Sequence, residues 1–323
     1  MTNLSARRPA APLRASSHGT PPESGGAALR RIGLLFLWAA TIAGIAWGLR
    51  WTERAARAGV AASRCQLVWV DLPPWLTLPD NEWVLREVTS AAGLRENDDL
   101  HDPQLCARIG EGLAGSPWVA RVERIRRHAD GTLTVRATFR EPAACVEARG
   151  RVYLVDQDGV RLPPEYPADA IDPTNPSNPL LIVGVSTPAP PAGVVWAGKT
   201  DPNRPAPELE AGLKLVRHFR EAAVQGRLPF RSSIRAIDVA NFDLKENAFD
   251  GRLRIRTIYP RCYIRWGEPP GAEYPVEPTA NRKLDMLRSL YVEQGQFVDG
   301  QILDVRKAEG IEKRAFPGVE GRR

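Results

Sequence analysis

The feature that most constrains this chain is the run Ile32–Leu49, IGLLFLWAATIAGIAWGL, the one long uncharged stretch in 323 residues that is also predominantly apolar and free of proline. Arg30 and Arg31 stand before it and Arg50 after it. A helix of this length, at ~1.5 Å rise per residue, spans roughly 27 Å, close to the hydrocarbon core of a bilayer. Ile32, Leu35, Phe36, Ile42, Ile45 and Leu49 each favour insertion by about 0.3–0.6 kcal/mol, whereas a mid-span Lys or Arg would cost ~2.5–3.5 kcal/mol. No such charge interrupts the run. Trp47 and Trp51 fall where an interfacial aromatic belt would lie. A single transmembrane helix is therefore expected over 32–50. Two other readings stand beside it: a cleaved signal peptide with its small-x-small site at Gly44-Ile45-Ala46, and a buried core helix. The thirty-residue lead is long for a signal, and arginine-flanked runs seldom enter soluble cores, so the anchor is preferred. Five arginines precede the run and four follow closely. That count barely sets orientation; a short cytoplasmic tail and an extracytoplasmic bulk are expected.

The remainder is long enough for one or two real cores, with 43% hydrophobic content. The net charge of +6 comes from dispersed arginines rather than a block, which indicates nucleic acid only weakly and suits an anionic lipid surface at least as well. Cys65, Cys106, Cys145 and Cys262 have no CxxC spacing, against zinc and thioredoxin-like chemistry. An even count in an exported domain permits disulfides, although Cys106 reads more simply as a small buried hydrophobe.

Residues 1–31 lack periodic hydrophobics and read as a disordered tail, and 51–64 as an Ala/Arg juxtamembrane linker. From Cys65 the pattern changes. Gln66–Leu72 suits a strand, and Asp80 is placed to cap a helix over Asn81–Ala92. Asp102-Pro103 suits the start of a second helix, with Leu105, Cys106, Ile109 and Leu113 on one face. Trp118–Arg126 and Thr132–Arg140 form a hairpin through Asp130-Gly131. Leu133, Val135, Ala137 and Phe139 alternate with Thr134, Arg136, Thr138 and Arg140, so one face is buried and one wet. A proline-rich stretch, 163–207, encloses one apolar run, Leu180–Val185. Beyond it come an amphipathic helix over Glu208–Ala223, strands at Ile234–Val239, Arg252–Ile258 and Cys262–Trp266, a helix over Thr279–Tyr291, and a strand over Gln301–Arg306. The fold class expected is α+β: one membrane helix, a small β-α-α-β-β domain over 65–142, a larger mixed domain with an antiparallel sheet over 143–306, and a tail over 307–323.

Ser116-Pro117-Trp118-Val119, Asp130-Gly131-Thr132-Leu133, Arg140-Glu141-Pro142-Ala143-Ala144 and Tyr153–Gly159 occur in an order and spacing similar to the FtsQ/DivIB family of bacterial division proteins. Gln301–Arg306 resembles the family's late "IDLR" strand. The resemblance implies that 65–142 is a POTRA domain and 143–306 an FtsQ-like β-domain. It also implies a single-pass protein of the bacterial inner membrane, enriched at the septum, that recruits other division proteins, including an FtsB/FtsL-type coiled-coil pair. Carried over by position, the partner-binding residues are Ile302, Leu303, Asp304, Val305, Arg306, Lys307 and Phe316; Lys307 stands where the family often has an aromatic.

No catalytic constellation is visible. His18, His101, His128 and His218 form no HExxH or triad, no phosphate-binding loop occurs, and Asp156-x-Asp158-Gly159 lacks the remaining ligands of a calcium loop. No enzyme, cofactor, metal, nucleic acid or small-molecule substrate is expected. What the residues offer is a late strand, Gln301–Arg306, with unpaired backbone groups for β-augmentation; the competing reading is a central strand paired on both sides. A POTRA-bearing envelope export or assembly component is the alternative function, and an exported enzyme or ligand-binding domain a third.

Overall fold

Apolar side chains repeating every second residue need a cover on one side only, and β3 (Thr132–Phe139) shows how the chain supplies it. In this computed structural model, which describes residues 38–55, 65–95, 98–100, 102–245, 247 and 249–317, Leu133, Val135 and Ala137 are buried while Arg136 and Thr138 are exposed. β3 is the centre of a three-stranded sheet ordered β1-β3-β2, with β1 (Gln66–Trp69) parallel to it and β2 (Val119–Arg127) antiparallel. The Asp130-Gly131 turn closes as its composition demands: Gly131 has φ 95° and the Asp130 carboxylate accepts the Thr132 N–H at 2.9 Å.

Helices α2 (Glu82–Ala91) and α3 (Leu105–Ala114) supply the cover through Val84, Val88, Leu105, Ile109 and Leu113, all buried. Each such side chain contributes roughly 1.5–3 kcal/mol. Both helices start later than the sequence suggests. Asp80 falls in a 3-10 turn, Pro79–Asn81, and Asn81 gives its side-chain N–H to the Trp75 carbonyl rather than capping. Asp102 instead accepts the Gln104 N–H at 2.9 Å, forming a local turn before α3.

The second sheet has nine strands in the order β12-β11-β10-β9-β8-β7-β4-β5-β6. In chain order these are β4 (Ala144–Ala148), β5 (Arg151–Val155), β6 (Arg161–Pro167), β7 (Leu180–Val183), β8 (Ile234–Asp238), β9 (Leu253–Thr257), β10 (Tyr263–Gly267), β11 (Gln301–Asp304) and β12 (Glu312–Ala315). The sheet is mixed, since β4–β7, β7–β8 and β10–β11 are parallel. Helices α4 (Pro207–Val224) and α5 (Ala280–Gln294) connect within it and cover one face. Phe219, Trp266, Leu284, Leu287 and Leu303 belong to one buried cluster there. α5 is well bounded: the Thr279 hydroxyl accepts the Arg282 N–H, and Gly295 ends the helix at φ 74°. The ion pair Arg140–Asp156, 2.7 Å, ties the residue after β3 to the β5–β6 turn. The Asp156 carboxylate also accepts the Asp158 and Val160 N–H groups, so the acidic motif is a turn.

The chain divides into two compact units, Met1–Ala62 and Ser63–Arg323, and both sheets lie in the second. In the first, residues 38–55 are helical (α1) and their side chains are exposed. Ile42, Ile45 and Leu49 lie on α1, at 61%, 58% and 66% exposure, as an outward apolar surface would. Ile32, Leu35 and Phe36 lie outside the described residues. Among the described residues no helix is long and apolar enough to cross a membrane; α1 as described begins at Trp38 and runs on past Arg50, Glu53 and Arg54.

Candidate partner-binding edge

A sheet offers free backbone only at its two outer strands, and here those strands differ. β6 is a poor template. Pro163, Pro164 and Pro167 have no N–H to give, and Pro163 and Pro164 fall in a register shift against β5. Its start is also covered: Arg161 N–H donates to the Val194 carbonyl at 3.0 Å, and Gly193 N–H to the Arg161 carbonyl at 2.7 Å.

β12 is the other outer strand, and among the described residues nothing pairs with its far side. It runs antiparallel to β11 with Ile302 opposite Arg314, Leu303 opposite Lys313 and Asp304 opposite Glu312. Phe316 N–H donates to the Gly300 carbonyl at 2.8 Å. Antiparallel alternation then directs the backbone groups of Arg314 and Glu312 toward β11, and those of Lys313 and Ala315 outward. Lys313, Arg314 and Ala315 are exposed.

This overturns the expectation that Gln301–Arg306 is the edge. β11 is an inner strand, parallel to β10 on one side and antiparallel to β12 on the other. Ile302, Leu303, Asp304 and Val305 are buried, and their backbone groups are already engaged in the ladder. The residues after Arg306, expected to be a tail, include β12. Its sequence, Glu-Lys-Arg-Ala, has no apolar alternation to reveal it. Ion pairs hold it instead: Glu312 bonds Arg314 at 2.7 Å and contacts Lys307. These two cations pull the Glu312 carboxyl down to about 2.

Behind the edge, the sheet face opposite α4 and α5 carries a charged row that register makes inevitable. Asp238 stands opposite Arg254, Arg254 opposite Arg265, and Arg265 beside Asp304 across four strands. Arg254 and Arg265 carry like charges, and Asp250 stands between them, 3.4 Å from Arg254 Nη1 and 2.6 Å from Arg265 Nη2. Asp238 also binds Arg256 at 2.8 Å. Arg306 forks onto Asp304, Nε to Oδ1 at 2.8 Å and Nη2 to Oδ2 at 2.6 Å, and reaches the Phe249 carbonyl. Burial alone would raise the Asp304 carboxyl; the Arg306 guanidinium outweighs it and holds that carboxyl below its usual range. Phe316 packs edge-on against Tyr263 at 6.3 Å. Of the residues carried over from the resemblance, Lys307 and Phe316 thus flank β12, Arg306 and Asp304 brace it from behind, and Ile302, Leu303 and Val305 are core.

A cleft of ≈ 870 Å³ opens between the first sheet's helices and α4, with Trp75, Trp83 and Trp118 on one wall and Arg220 and Arg231 on the other. Its polar groups largely serve the fold. Arg231 donates to the Pro173 and Asn178 carbonyls, and Arg220 pairs with Glu141. Among the described residues no three His, Cys, Asp or Glu side chains gather as a metal would require.

These features define a mixed α+β protein with a small helix-backed sheet and a large sheet that, among the described residues, has one of its two borders open. No family model matches the chain. A stretch of 87 residues, 27% of the chain, is 34% identical to cell division protein FtsQ of Geotalea daltonii and spans 30% of that protein. The chain is thus a distant, partial relative of an FtsQ, matching under a third of its length.

Proposed function

We propose that this protein is a membrane-anchored scaffold of the bacterial division complex, working by contact rather than catalysis, and that a partner strand adds to β12. The observation that carries this reading is the asymmetry of the nine-stranded sheet: β6 is closed by prolines and by residues 193–194, while β12 presents unpaired backbone groups. The partial likeness to an FtsQ supports the division role. In this reading 32–50 spans the inner membrane, 65–142 is a POTRA domain, 143–306 with β12 is the partner-binding domain, and the partner is an FtsB/FtsL-type pair. Cations at Lys307, Lys313 and Arg314 line the edge and suit a partner segment with acidic side chains.

The test is Lys313→Pro in the full chain. Proline removes one outward N–H and no ladder bond, so the fold is retained while strand addition is blocked. Co-purification of the FtsB/FtsL pair from membranes and septal enrichment of a fluorescent fusion are expected to be lost together. A variant that still recovers the pair at wild-type yield refutes docking at β12. A wild-type fusion spread evenly round the envelope refutes the division role.

A further inference from the structure

Cys65 and Cys106 lie at the same end of the first sheet. Cys65 directly precedes β1, whose first residue, Gln66, donates its N–H to the carbonyl of Gly131 in the β2–β3 turn at 3.2 Å. Cys106 is the second residue of α3. The segment leading into α3 is fastened to this same end by Arg127, the last residue of β2, whose Nη1 donates to the Asp102 carbonyl at 3.1 Å and also contacts the Leu100 carbonyl. Leu67, Leu133 and Arg127 stand in register across the three strands, so β1's start, the hairpin turn and α3's first turn converge. Both thiols are half-buried, whereas Cys145 and Cys262 are buried in the other sheet's half. Burial pushes the Cys65 thiol up, and the nearby Asp98 and Cys106 push it further against Arg127. Cys106 is thus near enough for its charge to be felt at Cys65.

We propose that Cys65 and Cys106 are a disulfide-forming pair that staples β1, the short parallel edge strand of the first sheet, to α3. The pair is reduced in this structure. The proposal rests on the extracytoplasmic placement of this part of the chain, the setting in which such bonds persist. The oxidant is a small-molecule or protein disulfide. One cysteine thiolate attacks it, breaking its S–S bond and releasing one thiol; the second cysteine attacks the resulting mixed disulfide and releases the other. Two electrons pass to the oxidant, and the two cysteine protons leave on its two thiols. The bond closes a loop across α2, which restricts the unfolded chain and stabilises the domain.

The experiment uses the full chain, purified reduced in detergent, treated with oxidised glutathione at pH 8, alkylated and digested without reductant. A Cys65–Cys106 cross-linked peptide is expected, with a rise in melting temperature of several degrees that dithiothreitol reverses and that Cys106→Ser abolishes. Separate glutathione adducts on the two cysteines, or two free thiols, overturn the pairing. Alkylation in intact cells then tests placement on its own: a pair that cross-links when purified but is fully reduced in cells refutes the extracytoplasmic reading and leaves the stapling geometry standing.

Discussion

Lys283 Nζ lies 2.5 Å from Glu277 Oε1, and the lysine side chain is 0% exposed. The ammonium also stands 5.0 Å from the Trp266 ring, inside the cluster that α5 packs against the sheet. Burial drives the Lys283 amine below its ordinary range, with Glu277 pulling the other way. Removing either partner of such a pair leaves an uncompensated buried charge, while neutralising both together removes the desolvation cost as well. Glu277→Ala is therefore expected to cost about 3–5 kcal/mol in urea unfolding, and the double variant Glu277→Gln/Lys283→Met, which leaves neither charge unpaired and keeps an acceptor for the Glu268 N–H, to be neutral or stabilising by about 1–4 kcal/mol. A double variant as unstable as Glu277→Ala would show that the ion pair itself holds α5.

Asp304 provides the second case, at the base of the open edge. Asp304→Ala takes from Arg306 both prongs of its carboxylate partner, while Arg265 keeps Asp250, and a loss of about 3–5 kcal/mol is expected. Arg306→Lys keeps the charge but gives up the two-pronged geometry, so a smaller loss is expected. Chemical denaturation of the pair of variants checks the order.

The pH dependence follows from the same carboxylates. Asp304 and Glu312 both titrate lower in the folded chain than their ordinary values of 3.8 and 4.5, Glu312 at about 2. A carboxyl depressed by folding contributes stability in full above its unfolded pKa and loses it as pH falls through the folded one. Stability is thus expected to decline from about pH 4.5 toward pH 2. Urea midpoints measured across that window should fall less steeply in Asp304→Asn, which has one such proton fewer to take up.

Two prolines one residue apart should behave oppositely. Lys313→Pro leaves the β11–β12 ladder whole, because its N–H points away from β11. Arg314→Pro deletes the N–H that faces Ile302, at an expected cost of at least about 1 kcal/mol. Amide exchange on β11 reports the difference: protection of Ile302 persists in the first variant and drops in the second.

Trp118, 1% exposed and edge-on to Trp83 at 5.5 Å, anchors α2 over the three-stranded sheet. Trp118→Ala is expected to destabilise by about 3–5 kcal/mol, read from thermal unfolding.

How much of this was legible varied with the kind of force holding each element. β3 declares itself through Leu133, Val135 and Ala137, and α4 and α5 through leucines at helical spacing, because burial writes a period into the sequence. β6 hides behind its prolines, which read as loop. β12 hides because Glu312–Ala315 is held by a backbone ladder and side-chain ion pairs, neither of which leaves a hydrophobic pattern. That omission made β11 look like the last strand, and it misplaced the sheet's edge by one strand. The charged row from Asp238 to Asp304 was equally out of reach, since it depends on the register of four strands far apart in the chain.

The prolines of β6 have a bearing on assembly as well as on the fold. A sheet with two receptive borders lets molecules join end to end into filaments. In the reading proposed above, with one border of the nine-stranded sheet sealed, that sheet admits a single guest strand and growth through it halts there. A discrete complex, with one recruited strand for each nine-stranded sheet, is what that reading expects.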